Sequence, residues 1–140
     1  MERRRALLAG LPLALLAAAL MAFGPSEASS YAGSGDWTIS AVTTETVTGE
    51  TLAISGNLTV SGTLALVNTS LTFTVDGPGT NYLTALPGAN VSLNDFDGSP
   101  ASGGDGSRLA GSPVPFNSTF GPNASLTIGN SRVEGAGWVR

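Results

Sequence analysis

The sequence predicts an all-β chain that follows an N-terminal signal helix and is wound as a short parallel β-helix, or solenoid. Three observations predict it. No amphipathic helical stripe appears after the leader. Between Thr51 and Val75 apolar residues come in pairs spaced by two: Leu52 and Ile54, Leu58 and Val60, Leu64 and Leu66, then Leu71, Phe73 and Val75. Both members of such a pair face the same side of a strand. The residue two places after each of the first three pairs is Gly56, Gly62 or Asn68, and these types tolerate the left-handed backbone of a corner.

The chain has 140 residues, enough for one domain. Its first 28 residues read as a signal peptide. Arg3, Arg4 and Arg5 form a positive head, and an apolar stretch from Ala6 to Phe23 follows, broken by Gly10 and Pro12. Gly24 and Pro25 end any helix. Ser26-Glu27-Ala28 places small residues where a signal peptidase reads them, so cleavage is expected after Ala28. The competing reading is an uncleaved anchor, but the apolar stretch is short of the roughly 20 residues a span needs. Arg4-Arg5 also permits a twin-arginine export route. The expected product, Ser29 to Arg140, is secreted or held at the cell surface.

That product holds eight of the ten acidic residues, since Glu2 and Glu27 lie in the leader, and three arginines. It has no Lys, no His and no Cys. Nucleic-acid binding needs several basic residues in a patch and is excluded as a partner class. A disulfide scaffold is excluded although export would permit one. Stability is then left to a packed core or to stacked repeats.

The segment 29–75 carries the first coils. The pairs begin at 52, 58, 64 and 71. Two architectures fit. In a solenoid, each short strand ends in a corner and about three strands complete a coil, so Leu71 stacks near Leu52. In a β-sandwich, the alternative, Gly56-Asn57 and Gly62-Thr63 are hairpin turns. The hairpin reading leaves strands of about four residues, short against the usual five or six, and the regular spacing favours the solenoid. The segment 76–115 is dense in Gly, Pro, Ser, Asp and Asn and reads as a loop insertion with one strand at Val91 to Leu93. The segment 116–140 carries a further coil. Leu126, Ile128, Asn130 and Val133 repeat the offsets of Leu64, Leu66, Asn68 and Leu71, an internal repeat.

Leu58-Thr59-Val60-Ser61-Gly62-Thr63-Leu64-Ala65-Leu66-Val67-Asn68-Thr69-Ser70-Leu71 resembles the first coils of right-handed parallel β-helix repeat proteins of the cell surface. Leu126 to Gly135 resembles a later coil, and Trp37-Thr38-Ile39 resembles the strand that opens such domains. The resemblance implies stacked interior Asn residues at Asn68 and Asn130, and roles in adhesion or carbohydrate handling. The sugar-cleaving members use clustered carboxylates, and no such cluster falls on the repeat.

An uncapped solenoid end exposes strand edges and invites assembly, so the partners expected are the chain itself, or a longer surface assembly of which this is the N-terminal part, and carbohydrate. Asn57, Asn68, Asn90, Asn117 and Asn123 each begin a glycosylation triplet. Asn90, Asn117 and Asn123 lie in loop-like sequence and are the better acceptors. Asn94-Asp95-Phe96-Asp97-Gly98 resembles the opening of a calcium loop, but no Glu closes the twelve-residue pattern, and a solvated turn with no metal is expected. Asp105 is a further acid of that segment. Asp95 and Asp97 are the only close acidic pair. With no His, Cys or Lys, no catalytic set and no cofactor are expected. The function expected is a non-enzymatic structural module of surface or adhesion type. The alternative is an extracellular carbohydrate-binding β-sandwich, in which Trp37 and Trp138, with Tyr31 and Tyr82, stack on sugar rings. Their competing role is that of core or capping aromatics.

Overall fold

The computed structural model describes residues 29–74, 81–97 and 106–138, with residue 138 described by its backbone alone. The signal-peptide reading and the acids Asp76 and Asp105 lie outside these residues. All regular structure within them is β, arranged as three parallel sheets.

The first coil runs through β1 (Trp37–Ile39), β2 (Thr44–Thr48) and β3 (Thr51–Ile54), and the second through β4 (Leu58–Val60), β5 (Thr63–Val67) and β6 (Ser70–Thr74). The third uses β7 (Tyr82–Ala85), β8 (Asn90–Asn94) and β9 (Arg108–Ser112). The fourth uses β10 (Phe116–Phe120), β11 (Ser125–Ile128) and β12 (Arg132–Glu134), and β13 (Ala136–Trp138) begins another turn. Every third strand pairs, giving the orders β1-β4-β7-β10-β13, β2-β5-β8-β11 and β3-β6-β9-β12. This is the parallel β-helix the spacing predicts, and Leu52 does pair with Leu71. The β-sandwich alternative fails because it needs antiparallel hairpins, whereas Gly56-Asn57 and Gly62 are corners between strands of different sheets.

One face of each strand points inward. Leu58, Leu64, Leu66, Leu71, Leu83, Leu93 and Leu109 are each no more than 1% exposed. They stack in columns such as Val47–Leu66–Leu93. Burying one such side chain contributes about 1.5–3 kcal/mol, which lets short strands stand without disulfides. Phe116 reaches across the core and stacks on Phe73 at a centroid distance of 4.7 Å.

The segment 76–115, expected as a loop with one strand at Val91 to Leu93, holds the three strands of the third coil, and the expected strand is the centre of β8. Paired residues show why the sequence hides it: the step is 21 residues from Trp37 to Leu58, 25 from Leu58 to Leu83 and 35 from Leu83 to Ser118. Corner insertions lengthen the later coils, so the six-residue spacing disappears while the register inside each strand survives.

The corners also revise the role of glycine. At the corner from the second sheet to the third, Asn68 and Asn130 have φ of 48° and 46°, the left-handed turn expected of them, and Gly49, which the spacing does not single out, has φ 71°. Asn68 and Asn130 are exposed, not interior as the family resemblance implies. Gly56 and Gly62 are not left-handed. A Cβ on Gly62 would stand 2.3 Å from the carbonyl oxygens of both Ser40 and Thr43, and one on Gly56 would stand 2.5 Å from the Gly35 carbonyl carbon. These glycines are there because neighbouring coils touch backbone to backbone.

Candidate functional site

The two ends of the helix differ in chemistry. At the first coil, the inward position that holds Leu64, Val91 and Leu126 in later coils is occupied by Glu45. The segment 29–36 crosses this end. Tyr31 packs against Trp37 with ring centroids 5.6 Å apart, and the Trp37 Nε1–H donates to Ser30 Oγ at 3.1 Å. The Ser29 N–H donates to Glu50 Oε1 at 3.4 Å, and the Ser30 N–H to Glu45 Oε1. A carboxylate replaces an aliphatic side chain where the core would otherwise meet water, which is how a solenoid end is capped.

The opposite end has no such substitution among the described residues. Leu126 and Val133 are half-buried, and Ile128 is 47% exposed. The strands β11, β12 and β13 are the edges of their sheets. Phe116, Phe120, Leu126, Val133 and Ala136 line a small apolar recess there.

A column of hydroxyls, buried at Thr69 and Ser107 and half-buried at Ser131, runs up the corner that precedes the third sheet. The Thr69 N–H donates to Ser107 Oγ at 3.1 Å, and the Ser107 N–H donates to Ser131 Oγ at 2.9 Å. Each hydroxyl donates in turn to the strand end of its own coil: Thr69 to Val67, Ser107 to Asn94 and Ser131 to Gly129. The column satisfies corner amides and carbonyls that turn away from the ladders. Its signal in the sequence is Asn68-Thr69, Gly106-Ser107 and Asn130-Ser131, a Gly or Asn followed by a hydroxyl, which the reading of the corners did not pick up.

On the outer face of the third sheet, Arg108 and Arg132 occupy neighbouring rungs in register. Glu134 bridges them, 2.6 Å from Arg108 Nη2 and 3.0 Å from Arg132 Nε. The Arg108 hydrogen bond is the main cause that holds the Glu134 carboxyl below its ordinary value. Desolvation opposes it, and the charges of Arg108 and Arg132 add to it. Beside this network a polar groove of about 340 Å³ is lined by Glu50, Asn68, Ser70, Gly106, Arg108 and Arg132, among others. On the first sheet Thr38, Thr59, Thr84 and Thr119 form one outward column.

The residues singled out by sequence are scattered. Trp37 is 3% exposed, so its ring is a core and capping group and is not offered to a sugar. The side chain of Trp138 lies outside the described residues. Tyr31 caps the first coil, and Tyr82 is 37% exposed on the first sheet. Asn90 and Asn117, expected in loops, are in β8 and β10, while Asn123 is at the tip of a turn with φ 60°. Asn90 Oδ1 accepts the Ser125 hydroxyl at 2.7 Å. The Asn57 amide spans two coils, donating to Asp36 Oδ1 at 3.3 Å and accepting the Tyr82 N–H at 3.0 Å. Asp95 is buried and Asp97 exposed. No group of three or more His, Cys, Asp or Glu able to hold a metal ion occurs among the described residues.

No family model, no curated protein and no solved structure matches the chain.

Proposed function

We propose that the chain is an exported, non-enzymatic structural module of the cell surface, a short β-helix that joins a second copy of itself through its C-terminal end. The observation that carries this reading is the contrast between the ends. The first coil has Glu45 at an inward position and a crossing segment over Trp37. The last coil keeps Leu126, Ile128 and Val133 at its inward positions with Ile128 47% exposed. Its natural complement is another open coil with the same three-sheet outline. The N-terminal end is covered by residues 29–36, so head-to-tail growth is blocked and the partner is the equivalent end of a second copy, an isologous contact.

Light scattering over a range of concentrations tests this. Mass that rises with concentration in the wild type and stays monomeric in Ile128→Lys supports the module. A wild type that is monomeric throughout contradicts it.

One observation favours a second reading, carbohydrate binding: the groove beside Arg108 and Arg132 is lined by hydroxyl, amide and charged groups suited to a polyhydroxylated chain. Titration with neutral and acidic oligosaccharides, in the wild type and in Arg132→Gln, separates it from a purely structural role.

A further inference from the structure

Two carboxylates converge on the start of the described chain. Glu50 Oε1 accepts from Ser29 N and Glu45 Oε1 from Ser30 N, and the Ser29 hydroxyl accepts the Tyr31 N–H at 3.0 Å. Ser29, Glu45 and Glu50 are all half-buried. The ion pairs found among the described residues are Arg108–Glu134 and Arg132–Glu134, on the third sheet in the third and fourth coils. Neither arginine pairs with Glu45 or Glu50. A carboxylate facing a neutral amide already accepts a charge-assisted hydrogen bond, and one facing an ammonium gains in addition the attraction between two opposite full charges. The bond that precedes Ser29 is also the one at which Ser26-Glu27-Ala28 presents small residues to a signal peptidase.

We infer that removal of the leader after Ala28 completes the fold: the new α-ammonium of Ser29 pairs with Glu50, beside Glu45, and locks the segment 29–36 over the first coil. The step is a peptide hydrolysis. One water is consumed and the Ala28–Ser29 C–N bond breaks. The water oxygen goes to the Ala28 carbonyl carbon, and Ser29 N leaves as an amine that is protonated near neutral pH. Nothing is oxidised or reduced. Before cleavage Ser29 N is an uncharged amide, so the cap is held less firmly, and maturation and end-capping are one event. This inference rests on the export reading above.

The chain contains no Lys, so the new α-amine is the only primary amine in the processed protein, and an amine-selective acylating reagent, with any tyrosine ester reversed by hydroxylamine, modifies that group alone. The test uses the protein purified from an exporting host. Intact mass and N-terminal sequencing locate the cleaved bond. Acetylation then removes the charge of Ser29 N while keeping one N–H. The expected result is a Ser29 N-terminus and a melting temperature about 4 °C lower after acetylation, with the drop absent in Glu50→Gln. Cleavage at another bond, or an acetylated protein that melts with the free one, overturns the inference. If Glu50→Gln does not fold, the acetylation shift in the wild type decides alone. A chain that is never exported fails the export reading itself, a result the mass measurement separates from cleavage at the wrong bond.

Discussion

At the scale of single residues, two kinds of glycine do two jobs. Gly49 has φ 71° with no atom within 4 Å of a Cβ, whereas Gly62 has ordinary φ and two carbonyl oxygens 2.3 Å from a Cβ. A methyl at Gly49 costs only backbone strain, about 1–2 kcal/mol. At Gly62 the methyl must push two coils apart, and overpacking of this kind costs about 1–3 kcal/mol or more. Gly62→Ala is therefore expected to lower the urea midpoint more than Gly49→Ala, and an equal or larger loss at Gly49 would show that the coils yield easily. The sequence reports the presence of glycine at a corner but not which of these causes selects it, because φ and the distance to the next coil are tertiary facts. Glu134 gives a second residue-scale prediction. Its carboxyl is held below its ordinary value of 4.5 chiefly by the Arg108 hydrogen bond. A depressed carboxyl contributes stability that is present above its unfolded value and is lost as pH falls through its folded value. The wild type should melt above Glu134→Gln at pH 7, and the gap should close as pH drops below 4.5. A gap that persists at pH 2 would assign it to packing.

At the scale of elements, strands were legible where an apolar pair and a corner residue recur at short spacing, as in β4 to β6. They were hidden where insertions lengthen the coil. Even so, a signal for the hidden coil stands in the sequence. Pro87-Gly88-Ala89-Asn90-Val91-Ser92-Leu93 aligns with Pro122-Asn123-Ala124-Ser125-Leu126-Thr127-Ile128, and the structure pairs Asn90 with Ser125 and Val91 with Leu126. Pro followed by a residue of positive φ is the signature of a type II turn, and Gly88 and Asn123 have φ of 79° and 60°. The Ala89 N–H and the Ala124 N–H close these turns onto Leu86 and Gly121 at 3.0 and 3.1 Å. The repeat escapes a search for six-residue spacing because its copies stand a whole lengthened coil apart. The hydroxyl column belongs to this scale too. Thr69 Oγ1 lies 3.0 Å from the Val47 and Val67 carbonyls. Thr69→Val keeps the shape but removes the hydroxyl donor beside these buried carbonyls, so a loss of about 1–3 kcal/mol is expected in chemical denaturation. An unchanged midpoint would mean that the column carries no stability.

At the scale of the whole molecule, what the sequence left open was how the ends behave. Glu45 reads as one more polar residue in a Thr-rich strand, and only the register with Leu64 reveals that it takes an inward place. Trp37 reads equally as a sugar platform or a capping ring until its burial is seen. Once the register is known, the polarity of the helix follows: one end is closed by carboxylates and aromatic rings, and the other presents an apolar rung. Ile128→Lys at the open end should abolish association. Val42→Lys, at a corner residue 99% exposed, should leave it unchanged.

Hydrogen exchange read at low and high protein concentration tests the central claim most directly, because it reports which end is covered. The account predicts that amides in β11 and β12, residues 125–134, gain protection as concentration rises while those in β2 and β3 do not change. Protection that is independent of concentration, or that grows in the first coil instead, would contradict stacking through the open end.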